Sequence, residues 1–203
     1  MKFCYKKVFH KNFLVSIVFL LCLQNLLHAQ KSGFNPNSEL KQSISIQKTG
    51  MIVLGSWATL NIFSGTLGFY KSNGNSKYFH QMNAAWNLVN LGIAGFGYRG
   101  ALNIDSNLNR ASSINKMESF DRLLLVNAGL DILYIGSGIL LWNRGISKDS
   151  SRMIGYGKSI ILQGGFLFLF DTALYLIHSK HTRSLVEITN QLSFTGNSFL
   201  LNF

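Results

Sequence analysis

The sequence predicts an all-α, polytopic membrane fold: four transmembrane helices in an up-down bundle, built as two helical hairpins and preceded by a signal peptide. Three observations carry this reading. Charged residues make up only 13 % of the 203 residues, against 47 % hydrophobic, well below the roughly 25 % charge of soluble domains. The apolar residues fall in four blocks, at about residues 49–70, 80–98, 123–143 and 153–178, each near the roughly 20 residues that a bilayer core demands of a helix. The only proline, Pro36, lies outside all four.

The chain opens with basic residues (Lys2, Lys6, Lys7, Lys11), an apolar run over 13–27 and the small residue Ala29, which is the pattern of a secretory leader cleaved after residue 29. An uncleaved anchor is the alternative. Both cysteines, Cys4 and Cys22, belong to this leader, so a processed chain has no disulfide, thiolate nucleophile or cysteine metal ligand. Residues 30–46 hold Pro36 among Ser, Asn and Lys and read as an exported linker. A four-helix transmembrane domain is expected over 47–180.

Within that domain Tyr70, Tyr78, Tyr98, Trp142, Tyr156 and Tyr175 stand at or near block ends, where an aromatic ring keeps its polar edge among headgroups. Leu123–Val126, Ile160–Leu162 and Phe166–Phe170 are apolar on consecutive residues. That favours helices over the period-two alternation of a transmembrane β-barrel, which is the rival fold. Connections of unequal length, the longest over 99–122, group the helices in pairs. A tail over 181–203 follows, with apolar positions Val186, Ile188, Leu192 and Phe194 before Thr195-Gly196-Asn197-Ser198. It reads either as a short amphipathic hairpin or as a segment lying on the membrane surface.

The formal charge of +11 does not mark a nucleic-acid binder, because the cations are scattered between apolar blocks without a basic helix or an aromatic-basic platform. The bilayer is the expected partner, with a protein or a second copy of the chain as a further one. An exported N-terminus places the 99–122 loop and the C-terminus on the outer side of a bacterial inner membrane, although Lys and Arg counts on the two sides lend that orientation no support.

The polar residues inside the blocks are the informative ones. Trp57, Asn61, Ser64 and Gly68 share one helical face, as do Asn83, Asn87, Asn90 and Ala94, and Asn127, Asp131, Tyr134 and Gly138; Gln163 and Asp171 match more loosely. Counting 1.5 Å per residue from a shared side puts Asp131 and Asp171 at a common depth of roughly 10 to 12 Å, with Asn90 beside them and Asn87 and Asn61 slightly deeper. These five residues form one expected polar layer, either a hydrogen-bonded knot that fixes helix register or a small site for a proton, a cation or a polar ligand.

No phosphate loop, nucleophile elbow or zinc-protease helix is present, so an enzyme is not expected, and a membrane-embedded reaction on the paired carboxylates ranks third. His178-xx-His181 has helical ligand spacing without a third ligand. The histidines therefore read as interfacial, and no metal or other cofactor is expected.

The exported leader, the run Phe79-His80-Gln81-Met82-Asn83-Ala84-Ala85-Trp86-Asn87 and the run Leu130-Asp131-Ile132-Leu133-Tyr134-Ile135-Gly136 resemble a family of small bacterial four-helix membrane proteins of unknown function. The likeness covers about residues 48–180 and implies a topology without an activity.

Overall fold

A computed structural model describes residues 36–105 and 109–199; the leader and the first part of the expected linker lie outside the described residues. Every element among them is a helix: α1 Pro36–Lys71, α2 Gly74–Leu102, α3 Arg110–Ser147 and α4 Ser151–Phe199. The turns between them are chemically marked. Gly74 takes a φ of 55°, which a glycine adopts freely, and Asp149 takes 48°. Asn109 caps α3, its side chain accepting from Ser112 N at 2.9 Å, which satisfies one of the amides a helix start leaves unpaired.

Each helix is longer than its apolar block. The expected linker is corrected from Pro36 onward, because proline at a first helical position gives up an amide that has no partner there anyway, and α1 starts on it. Within the expected 99–122 loop, residues 99–102 and 110–122 are helical. No hairpin forms in the tail, since α4 runs unbroken to Phe199.

α1 packs on α2 and α3 on α4, giving the two expected hairpins, while α4 also packs along α2 and, to a lesser extent, α1. α2 and α4 run parallel: Gly155 lies against Asn75 and Phe79, and Gln163 bonds Asn83. Beyond the end of α2, the other three helices build a small core of Leu40, Ile44, Met117 and Leu185, with Ile104 and Ile114 against it.

Elsewhere the usual distribution of polarity is inverted. Leu60, Phe63, Leu67, Leu88, Val89, Phe96, Leu125, Leu133, Leu140, Leu169 and Leu176 face outward, whereas Asn83, Asn87, Asn90, Asp131, Gln163 and Asp171 are buried. α1, α3 and α4 are long and apolar enough to cross a membrane. α2 falls short on composition, and its three buried asparagines are the reason. Residues 49–70 lie between Lys48 and Lys71, 78–98 between Lys77 and Arg99, 123–143 between Arg122 and Arg144, and 159–179 between Lys158 and Lys180. These stretches hold no Lys, Arg or Glu, and their two aspartates are buried.

Close approach of α3 and α4 depends on glycine. A Cβ on Gly138 would meet Gly157 O and Ile161 N at 2.9 Å, whereas one on Gly136 would meet nothing within 4 Å. Gly138→Val is expected to destabilise the bundle by about 1–3 kcal/mol and Gly136→Val by much less. Unfolding titrations with SDS in mixed micelles measure both.

Candidate functional site

The inner face of α4 carries Ser159, Gln163, Asp171, His178 and Thr182, all buried, and the polar contacts of the bundle gather along it in tiers.

The lowest tier is built of amides. Trp57 Nε1 donates to Gln163 Oε1 at 3.1 Å, and Gln163 Nε2 donates to Asn83 Oδ1 at 2.5 Å. Asn83 Nδ2 donates to Asn61 Oδ1 at 2.9 Å. The Trp57 indole stacks on Phe166 at 3.8 Å between ring centroids, which roofs Gln163 against lipid. From here the chain climbs α2, Asn87 Nδ2 donating to Asn83 O at 2.8 Å and Asn90 Nδ2 to Asn87 Oδ1 at 3.3 Å.

The second tier is the carboxyl pair. Asp131 and Asp171 are within hydrogen-bonding reach of each other and are 2 % and 6 % exposed. The oxygen Asp131 Oδ2 is buried without a partner. The register of α2 on α4 brings Asn90 to the height of Asp171. Asn61, in contrast, belongs with Gln163, eight residues along α4 from Asp171, or about 12 Å. The single layer expected from sequence is therefore two tiers, with Asn87 and Asn90 leading from one to the other. Ser64, read as part of the inner face of α1, is exposed.

The third tier was not visible in the sequence reading. His178 is fully buried and is not the lone histidine that the spacing suggests. Its Nδ1 lies 2.7 Å from Asp121 Oδ1 and its Nε2 lies 2.5 Å from Ser43 Oγ. Gln47 Nε2 stands 3.3 Å from His178 Nε2 and 3.4 Å from Ser43 Oγ, and the edge of Phe120 packs on the imidazole. Asp121 accepting from Nδ1–H leaves Nε2 to accept the Ser43 hydroxyl, the atom order of a serine-hydrolase triad. Yet Ser43 and His178 are both 0 % exposed, and an acyl carbonyl has no access to a hydroxyl sealed in this way. The set works as a clasp joining α1, α3 and α4. One turn further on, His181 Nδ1 meets Glu39 Oε2 at 2.7 Å in a partly exposed position.

The signal for this tier lay in spacing. Leu40, Ser43, Gln47, Met51 and Leu54 continue one helical stripe from the expected linker into the apolar block, and Met117, Asp121, Leu124 and Asp131 do the same on α3. His80 lies at the other end of the bundle, beside Gly68, far from His178.

Removing the imidazole would leave Asp121 unpaired in the interior and Ser43 with only its long contact to Gln47. His178→Ala is expected to cost about 3 kcal/mol, and His181→Ala under about 1 kcal/mol because that pair is partly solvated. Equal losses in SDS unfolding would contradict the assignment of the clasp.

Residues 53–172 match the model of a family of unknown function, and this stretch contains the amide chain and the carboxyl pair while leaving Ser43, Gln47 and His178 outside it. No curated protein and no solved structure matches the chain. With more than half of its length matched, the chain belongs to the family of unknown function DUF6992.

Proposed function

We propose that the chain is a four-span integral membrane protein of the bacterial inner membrane, a structural or interaction bundle whose buried polar tiers hold its helices in one register. The inverted exposure supports this reading most directly. Polar side chains sit inside, Leu, Phe and Val face outward, and the stretches clear of Lys, Arg and Glu match the thickness of a hydrocarbon core on all four helices. α2 is the fourth span under this reading, because Leu88, Val89, Leu91, Ile93 and Phe96 face outward and its asparagines face in. The exported leader orients the turns at 72–73 and 148–150 toward the cytoplasm and the three-helix end outward.

A specific observation favours a second reading. Two carboxyls face each other in the apolar region, and Asp131 Oδ2 has no partner. A proton, a small cation or a small polar ligand held between Asp131 and Asp171 would complete the pair, with Asn87 and Asn90 supplying amide donors. This is the carrier or channel-like alternative.

Asp131→Asn combined with Asp171→Asn separates the two. A purely structural role is expected to show as lost compactness in detergent at unchanged membrane expression. A bundle that stays folded but loses proton uptake, read with a pH-sensitive dye in proteoliposomes, would replace the structural reading with the carrier. Orientation is tested in a chain with Cys4 and Cys22 changed to Ser: Asn103→Cys is expected to react with an impermeant maleimide in intact spheroplasts, and Asn73→Cys only after lysis. The reverse pattern would invert the topology.

A further inference from the structure

The two ends of the bundle carry different charge. At the turn end, residues 71–77 and 144–158 hold Lys71, Lys77, Arg144, Lys148, Arg152 and Lys158 against one acid, Asp149. At the opposite end, residues 38–48, 99–122 and 180–187 hold eight cations (Lys41, Lys48, Arg99, Arg110, Lys116, Arg122, Lys180, Arg183) against five acids (Glu39, Asp105, Glu118, Asp121, Glu187). Pairing deepens the contrast. Arg122 meets Glu118, so one cation at that end is already paired.

The turn-end cations are placed differently. Lys77 lies 4.9 Å from the centroid of Phe69, Arg152 lies 5.3 Å from Tyr156 and Lys158 lies 5.1 Å from Trp142. A cation laid over an aromatic ring keeps its aliphatic stem on apolar surface with the charged head at the headgroup level. Tyr156 is itself fixed, its hydroxyl donating to Gln81 Oε1 at 3.0 Å while Tyr78 packs on its edge.

We propose that the turn end is a docking surface for anionic phospholipid headgroups, with Lys71, Lys77, Lys148 and Arg152 as its principal contacts and aromatic rings setting the depth of Lys77 and Arg152. This rests on the four-span reading and adds to it a partner and a polarity. Charge complementarity selects the partner: six cations around a ring of aromatic side chains match a layer of phosphates set on an apolar slab, and each basic residue near such a layer adds to its attraction.

The test uses the full-length chain in detergent, titrated with phosphatidylglycerol or phosphatidylcholine and read by native mass spectrometry. The unmodified chain is expected to retain phosphatidylglycerol over phosphatidylcholine by about tenfold or more. The combined Lys71→Gln, Lys77→Gln, Lys148→Gln and Arg152→Gln variant is expected to lose that preference. The combined Lys41→Gln, Lys116→Gln, Lys180→Gln and Arg183→Gln variant removes the same charge from the other end and should keep it. Equal retention of the two lipids by the unmodified chain, or equal loss in the two variants, overturns the proposal. A chain released from membranes by alkaline carbonate would sink the membrane reading itself, whereas one that stays embedded without lipid preference would sink only this surface.

Discussion

Hydrocarbon offers no hydrogen bonds, so every polar atom that a helix carries into it must find its partner inside the bundle. The arrangement of this protein follows from that constraint more than from any other. Apolar side chains are content on either side of the lipid boundary and say little about which way a helix turns. The asparagines of α2, Gln163 and the two aspartates have one acceptable direction each, and together they fix the rotation of all four helices. α4 becomes the central element because its inner face meets a different set of partners at each height. Amides stand at Gln163, a carboxyl at Asp171 and an imidazole clasp at His178.

The clasp lies where the lipid constraint gives way to ordinary burial. Around it Leu40, Ile44, Met117 and Leu185 pack as the core of a small water-facing helical bundle would. One chain thus uses two opposite rules along a single axis, polar inside lipid and apolar inside water. Ser43, Asp121 and His178 stand near the junction. A buried polar set there joins three helices without a large apolar area, at the cost of demanding that every member be present.

This change of rule explains what the sequence revealed and what it hid. Long apolar blocks and the i, i+4, i+7 asparagines of α2 are strong signals, and they led to four helices and to Asn61, Asn87, Asn90, Asp131 and Asp171 as inner positions. Blocks of hydropathy end where charges begin, however. Lys41, Lys48, Lys116 and Glu118 made the outer turns of α1 and α3 look like linker and loop. Those segments are amphipathic, and their apolar stripe is visible only when read at helical period through the charged residues. Depth was harder still. Counting residues from an assumed boundary placed Asn61 near the aspartates, whereas the partner it meets on α2, Asn83, sets its true height.

The division of hydrogen bonds between the hairpins bears on how the protein is made. Asn61, Asn83, Asn87 and Asn90 bond among themselves within α1 and α2, and Asp121 with His178 does so within α3 and α4. Most of these hydrogen bonds are therefore internal to one hairpin or the other. The contacts of Gln163 with Trp57 and Asn83, and of His178 with Ser43, are left for the later meeting of the two halves. Because α4 supplies the second-hairpin side of these joints, they form only once the last helix of the sequence is in place.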